Sequence, residues 1–453
     1  MSERAATTDI PRIYAYAQIA NQSPPYVQLE TFDVTLSAYG SIGHFSCTTA
    51  ISALSAFGWG PTNLLGDKIE ASVPSLHDGS PTYPITLYAT DPYDTVTSSK
   101  LRTIFAGDID ELAWDFDNDE LRISGRDYAG RLHDWQALLT PGWVNQTFAD
   151  FANTIIKGVG LTPSIASSAT VNRSLSNLLY NIGTANVPGL ERLGFNKSAI
   201  SDTVSAWSSP VNMWNLLVEV ARSIGFIVTV HTDGTVYVGP QGGDSDVNLA
   251  PRTFTWFGSA ATPNIVPIRN LTIDHGPRQY GTFAIRAFSF HSPSAQVVNS
   301  DVYTFSPNTP GFEGAGLVRQ KITGGVYTES AAAGGFAAGK PNYYFYFQGK
   351  TAPQLKADAL ALAFDIAKYL YVVHGEIDGD PSLVPTTPII INDASPGYLQ
   401  GYANKMQLTT SGVNHRYDMD DGFLTRLTAW YAPSAQTLQG STPPGTIAAE
   451  VTT

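Results

Sequence analysis

The stretch LRISGRDYAGRLHDW, from Leu121 to Trp135, decides how this chain is interpreted. Its first part alternates apolar and polar residues and predicts a strand that ends at Gly125. Asp127 then stands where a helix N-cap belongs, because its carboxylate can accept the first free N–H groups of a helix. Apolar residues follow at spacings of four, three and four, which predicts the buried side of a helix: Tyr128, Leu132, Trp135 and Leu139.

The same stretch concentrates charge in a chain in which charged residues make up only 14%. One interpretation is a catalytic cluster built from Arg126, Asp127, Arg131, His133 and Asp134. The other is a capped helix whose polar side faces water. In that interpretation Arg131 and Asp134 point away from the apolar side and His133 lies near its edge. We favour the second, because capping and solvation account for every one of these residues.

A hairpin precedes the corner, the strand-to-helix junction at residues 125–127. DELAWDF and ELRISGR both read as strands, and residues 117–119, Asp-Asn-Asp, form a turn signal between them. The surrounding composition also favours strands, since 40 Gly and 29 Pro residues supply many turns. The fold class predicted is therefore α+β, mainly β.

The length of 453 residues predicts two to four domains. The net charge of −13 and the lack of a Lys/Arg run argue against nucleic-acid recognition. Cys47 is the single cysteine, which excludes an internal disulfide. We expect no signal peptide and no membrane span, because the N-terminal residues are polar and no run of about 18 apolar residues occurs.

Three domains and a tail are predicted along the chain. Residues 1–135 form a first β domain. Residues 136–265 form one or two inserted α+β units, in which 147–161 is a short helix and 226–239 a hairpin turning at 232–234. A second helix is expected over 210–224, capped by Ser209 and closed by Gly225.

Residues 266–431 are predicted to form a second β domain. It contains a buried helix over 352–373, because Thr351 and Gln354 have the spacing of a capping box. The Gly/Ala-rich residues 322–340 are interpreted as an insertion, and 432–453 as a flexible polar tail.

Motifs that suggest chemistry fail in detail. GGFAAGKP (334–341) has phosphate-loop spacing up to Lys340, but Pro341 occupies the magnesium-binding position and the flanking elements are wrong. DFDNDE (115–120) starts like a calcium loop but has Glu120 and Arg126 where Gly and a carboxylate are needed. No two histidines have metal-ligand spacing. We therefore predict no catalytic, cofactor-binding or metal-binding residues.

The opening stretch and the residues before it resemble the first domain of the phage baseplate hub family. That family includes the late-control protein D of contractile phages and the hub part of type VI secretion spike proteins. Its F-x-G, hairpin, G-x-D and helix pattern is matched by Phe105, Gly107, Gly125, Asp127 and Leu132. Further similar segments follow in the same order: the helix and hairpin within 212–240, the helix at 355–370, and the closing hairpin at 413–431.

The resemblance implies two tail-tube-like β-barrel domains in each chain, with the α+β units between them. A homotrimer would then form a pseudo-sixfold ring that joins the tail tube, or a distal tail protein, to a trimeric spike and leaves a channel for DNA. The tape-measure protein and other baseplate proteins are further partners that it implies. The location implied is the virion tail baseplate, after assembly in the host bacterial cytoplasm.

Two alternatives stay open. In the first, the chain is a tail-tip enzyme or carbohydrate-binding protein built from β domains, and its Tyr- and Trp-rich loops bind sugars. In the second, it is the same hub in a phage-derived injection or gene-transfer particle.

Overall fold

The structure is a computed structural model. It describes residues 14–19, 26–38, 40–64, 82–90, 101–167, 171–175, 178, 210–224, 226–240, 252–256, 265–275, 283–290, 297–306, 316–322, 342–348, 371–393 and 406–431.

The first β region is an antiparallel series of seven strands. Its strands are β1 (Ala15–Ile19), β2 (Val27–Gln28), β3 (Thr31–Ser37), β4 (His44–Ala50), β5 (Pro84–Thr90), β6 (Leu101–Asp115) and β7 (Glu120–Asp127), with a short helix α1 (Ile51–Ser55) after β4. Their order across the sheet is β3-β4-β7-β6-β5-β1-β2. The predicted hairpin is confirmed, since β6 and β7 pair and Asp115 lies opposite Glu120.

The core of this region comes from residues that alternate along each strand. Phe32 and Val34 of β3 point inward, and Phe45 packs against Phe105 with ring centroids 4.9 Å apart. Cys47 is buried in the same core, and burial raises the pKa of its thiol. It is therefore a small apolar core residue.

A middle unit follows the corner. Its elements are α2 (Ala129–Asp134), β8 (Gln136–Ala137), α3 (Pro141–Val144), α4 (Phe148–Gly158), β9 (Thr162–Ile165), β10 (Val211–Asn212), α5 (Met213–Ser223), β11 (Phe226–Val230) and β12 (Thr235–Pro240). The predicted hairpin is present as β11–β12, with Gly234 at a φ of +83° in its turn. β12 also pairs in parallel with β9.

The second middle helix does not begin where the sequence predicts. Its cap is Asn212, whose Oδ1 accepts a hydrogen bond from Asn215 N at 2.9 Å, so Pro210 lies before the helix. Asn212 also donates from Nδ2 to His133 O, and Met213 N donates to Trp135 O at 3.0 Å. These bonds to His133 and Trp135 hold Asn212 in the cap position. The predicted cap, Ser209, lies outside the described residues.

The last part of the chain contains β13 (Arg252–Trp256), β14 (Ile265–Pro267), β15 (Arg269–His275), β16 (Phe283–Phe290), β17 (Val297–Ser306), β18 (Gly316–Ile322), β19 (Asn342–Gln348), β20 (Tyr371–Asp378), β21 (Pro388–Asp393), β22 (Met406–Asp418) and β23 (Gly422–Tyr431). β16 to β19 form a separate four-stranded sheet. Arg252–Trp256 joins the main sheet by pairing in parallel with β21.

The predicted helix over 352–373 is wrong at its end. Residues 352–370 lie outside the described residues, but Tyr371–Asp378 is a strand that pairs with β15 and β23. The GGFAAGKP segment and the 432–453 tail also lie outside them.

One strand pair unites the two β regions. β3 pairs with β22 along seven residues, from Thr31 opposite Asp418 to Ser37 opposite Gly412. The result is a 14-stranded sheet. Tyr417 and Phe423 of the last hairpin pack into the first core, where Tyr417 stacks on Phe32 at 5.4 Å. The mainly β class is confirmed, but the described strands close no ring, so the two predicted barrels are not confirmed.

Among the described helices, none combines the length and apolar character needed to cross a membrane.

Candidate functional site

The corner at Gly125 and Asp127 is built on a close approach of two strands. β6 and β7 pair side by side, and their backbones approach so closely here that a Cβ on Gly107 would overlap the carbonyl oxygen of Arg126. A Cβ on Gly125 would likewise overlap the carbonyl oxygen of Asp108. The glycines of the F-x-G and G-x-D pattern are thus needed for backbone contact, and the pattern has a steric cause.

Asp127 joins three segments. Its Oδ1 accepts a hydrogen bond from Ala129 N at 2.9 Å, the first residue of α2. Its Oδ2 accepts from Gly43 N at 2.7 Å, in the connection between β3 and β4. Burial raises the pKa of this carboxyl to about 7, although both backbone N–H groups oppose that shift. The N-cap position is Tyr128, one residue later than predicted, and Asp127 accepts the first helical N–H from the residue before the cap.

Arg131 does not face solvent, contrary to prediction. Its side chain is only 7% exposed and forms two hydrogen bonds with Asp108, Nε to Oδ2 at 2.6 Å and Nη2 to Oδ1 at 2.8 Å. The guanidinium also lies 4.6 Å from the centre of the Tyr128 ring. A buried arginine needs such a partner, and Asp108 on β6 supplies it.

A second arginine holds the outer side of the same corner. Arg126 bonds Asp110 and Asp134 at 2.7 to 2.9 Å through two edges of its guanidinium. Arg126 therefore lowers the pKa of Asp134, with a smaller contribution from His133. Asp134 is partly exposed, as predicted, but it is engaged in an ion pair. The charges of the opening stretch thus tie α2 to β6.

The apolar residues of the corner divide between two cores. Phe105 belongs to the first β core. Leu132, Trp135 and Leu139 are buried in the core of the middle unit, with Tyr128 partly buried beside them. The helix ends at Asp134, so Trp135 and Leu139 reach that core from the following segment. The corner therefore connects the first β region to the middle unit.

A groove of about 600 Å³ lies beside the corner. Its walls come from the β3–β4 connection, the start of α5 and the last hairpin, and they include His44, His133, Asn414 and Arg426. Two of these groups have structural partners: Asn414 donates to Asp33 Oδ1 at 2.6 Å and Arg426 to Glu376 Oε2 at 3.0 Å. One hydroxyl in the lining has an imidazole neighbour: Thr428 Oγ1 lies 3.1 Å from His374 Nδ1, and His374 Nε2 lies 3.5 Å from Asp274 Oδ2.

A buried histidine, His415, lies in the hairpin formed by β22 and β23. His415 Nε2 lies 3.0 Å from Leu383 O, and its Nδ1 lies 3.0 Å from Thr425 Oγ1. A carbonyl only accepts, so Nε2 carries the proton and Thr425 donates to Nδ1. Thr425 Oγ1 accepts in turn from Asp380 N at 3.0 Å. Burial lowers the pKa of His415 to about 4, so the ring is neutral at pH 7.

The DFDNDE segment is a turn. Asp115 accepts hydrogen bonds from Asp117 N and from Asn118 N and Nδ2, and those to Asn118 lower the pKa of its carboxyl. Within the described ranges, no group of three or more His, Cys, Asp and Glu side chains is arranged to hold a metal ion.

Two partners in the corner were not identified from the sequence. Gly43 lies 84 residues before Asp127, and Asp108 lies 23 residues before Arg131. Neither has a local spacing signal, because both are brought close by strand pairing.

Comparisons with known proteins give a shared fold. No family model and no curated protein matches the chain. The tail protein from Neisseria meningitidis MC58 superposes with a TM-score of 0.52 at 13% identity, covering 93% of this chain and 99% of that one. The 43 kDa tail protein of prophage MuSo2 from Shewanella oneidensis gives 0.49 at 12%, covering 93% and 99%. An Escherichia coli component of the type VI secretion system gives 0.43 at 10%, covering 91% and 76%.

At these identities the likeness concerns the fold. This chain has the fold of the Neisseria tail protein along nearly its whole length.

Proposed function

We propose that the protein is a structural component of a phage-type tail: the baseplate hub, a homotrimer that joins the tail tube to the spike. The observation that carries the proposal is the fold shared with a tail protein over 93% of this chain. The corner residues support it, since Gly107, Gly125 and Asp127, which carry the resemblance to the hub family, meet at one structural joint.

The arrangement of the two β regions suits a ring. They lie side by side in one sheet through β3 and β22. Three such chains would place six β regions around an axis and would match a sixfold tube on one side and a trimeric spike on the other. The net charge of −13 would let DNA pass through the channel without adhering. A lumen lined mostly by basic residues would contradict that part of the proposal.

The polar clusters favour a structural role over catalysis. Arg126, Arg131, Asp127 and His415 are each engaged in bonds that connect elements of the fold. The rival proposal, a tail-tip enzyme or carbohydrate-binding protein, would need a set of these groups turned toward a substrate.

The experiment is light scattering coupled to size exclusion, with the purified chain alone and with the spike protein of the same particle. A trimer, or a trimer that forms only with the spike protein, supports the hub. A monomer that binds or cleaves glycans supports the rival. The genes neighbouring its own distinguish a phage from a phage-derived injection or gene-transfer particle.

A further inference from the structure

Three chain reversals lie together at one end of the main sheet. The strand register places Thr31 opposite both Thr48 and Asp418. It also places Glu120 opposite both Ala50 and Asp115. The turns at 116–119 and 419–421 and the segment 51–59 after β4 therefore share this end. We call residues 30, 51–59, 115–120 and 418–422 the hairpin end.

Hydrogen bonds fix these reversals to one another. Asp119 accepts from Ile51 N through its carbonyl at 2.9 Å and from Ser52 N through Oδ1 at 2.8 Å. Met419 N donates to Glu30 O at 3.1 Å, and Glu30 N donates to Thr48 O at 2.9 Å. The hairpin end is therefore a prearranged surface, which lowers the entropy lost when a partner binds.

Large apolar side chains project from this surface. Phe57 is 47% exposed, Phe116 66% and Met419 56%. Phe116 stacks on Trp114 at 6.2 Å, and Phe57 lies 5.6 Å from Trp59. Aromatic and methionine side chains are typical anchors of protein interfaces, and one at each of three adjoining reversals indicates a docking surface.

Carboxylates surround these anchors. The acidic residues of the hairpin end are Glu30, Asp115, Asp117, Asp119, Glu120, Asp418, Asp420 and Asp421. In the portion of the chain that is described, the ion pair formed here is the one between Arg122 and Glu120. A partner that fits this surface carries lysine and arginine side chains around an apolar recess.

The opposite end of the first β region is covered by the middle unit. Trp214 Nε1 of α5 donates to Gly40 O at 3.0 Å, and Asp127 ties the adjacent Gly43 to the corner. A Cβ on Gly40 would overlap Val218 of α5, so this contact is tight. A neighbouring ring that stacks on the first β region therefore meets the hairpin end.

We propose that the hairpin end docks the adjoining ring of the tail tube, through Phe57, Phe116 and Met419 as anchors and the carboxylates as a rim complementary to a basic surface. The inference rests on the proposed hub function and adds the surface and the chemistry of the contact. It also makes the contact dependent on salt, because exposed charge pairs are screened by ions.

The test measures binding of the purified tail-tube protein and, separately, the purified spike protein of the same particle to the immobilised full chain. The apolar variant is Phe116→Ala with Met419→Ala, and the charge variant is Asp117→Asn with Asp420→Asn. There are two matched controls. Leu138→Ala changes an exposed apolar residue of the middle unit, and Asp274→Asn changes an exposed acid of β15, outside the hairpin end. Light scattering on each sample records the oligomeric state.

We expect the apolar variant to weaken tube-protein binding by about tenfold or more, as loss of interface anchors does, and the charge variant to weaken it by a smaller factor that shrinks as salt is added, with the controls unchanged. Added salt should weaken the wild type more than the charge variant. Unchanged tube-protein binding by a trimeric variant would overturn this inference and leave the hub proposal intact, as would loss of spike-protein binding alone. A wild-type chain that is monomeric and binds neither protein would overturn the hub proposal itself.

Discussion

Asp127 Oδ2 lies 2.7 Å from Gly43 N, and this bond joins residues 84 positions apart. The same carboxyl receives Ala129 N through its other oxygen. One side chain therefore holds the β3–β4 connection, the end of β7 and the start of α2 together.

Asp127→Ala removes the acceptor for both N–H groups. We expect a loss of about 2 kcal/mol or more in the free energy of unfolding, above the roughly 1 kcal/mol of a simple helix cap, because two donors lose their partner. Asp127→Asn keeps one carbonyl acceptor, so its free energy of unfolding should lie between those of the wild type and Asp127→Ala. Chemical denaturation measures both. Loss of an enzymatic activity from a folded Asp127→Ala protein would contradict the structural interpretation.

Arg131→Met leaves the Asp108 carboxylate without its cation. A broken buried ion pair costs about 3 kcal/mol, and the 16% exposure of Asp108 places this pair at the lower end of the range. Arg126→Met is the matched control, because its partners are 40% and 44% exposed and the expected cost is about 1 kcal/mol or less. The double variant Asp108→Asn with Arg131→Met should recover part of the loss. Equal losses of stability for Arg131→Met and Arg126→Met would contradict the expectation that the cost rises with burial.

Gly125→Ala places a methyl group against the carbonyl oxygen of Asp108 and near the Phe45 ring. We expect a loss of about 1–3 kcal/mol, since neither strand can shift without breaking the pairing of β6 and β7. Gly60→Ala meets no atom within 4 Å and should change stability by about 0.5 kcal/mol or less. Thermal unfolding of the two variants side by side tests the steric origin of the motif.

His415 makes stability depend on pH. Its pKa is about 4 in the folded chain against an ordinary value of 6.5, so the unfolded chain takes up a proton first as the pH falls. Stability is therefore lost between about pH 6.5 and pH 4, by an amount on the order of 3 kcal/mol. His415→Gln should lack this loss in urea titrations over that range.

The titration of Asp127 changes stability in the opposite direction over an overlapping pH range. Its raised pKa means that its contribution is lost as the pH rises from about 4 through about 7. The titration of His415→Gln is therefore repeated in an Asp127→Asn background. If the two pH profiles, with and without His415, coincide there, His415 is not the titrating group.

The local parts of this fold could be predicted from the sequence, and the tertiary parts could not. The β6–β7 hairpin and the β11–β12 hairpin follow from turn residues and alternation, which act over a few positions. The burial of Arg131 could not be predicted, because it borders the apolar side of α2 and its direction depends on Asp108. The cap at Asn212 could not be predicted for the same reason, since it depends on bonds from Asn212 to His133 O and from Met213 to Trp135 O.

The candidate site shows the same division. The residues Gly107, Gly125 and Asp127 could be identified as a pattern, but the reason for the glycines is a close backbone approach between the paired strands β6 and β7, which appears only in three dimensions. The hairpin end could not be foreseen as a surface, because Phe57, Phe116 and Met419 are far apart in the chain and adjoin through strand register.

The pairing of β3 with β22 also determines when the free edge of β3 is covered during synthesis. Asn414 bonds Asp33 across 381 residues, so β3 has only β4 as a neighbour in the sheet until residues 412–418 have been translated. During that interval its open edge is a template for pairing with other nascent chains. Emergence of residues 412–418 closes that edge and ends this interval.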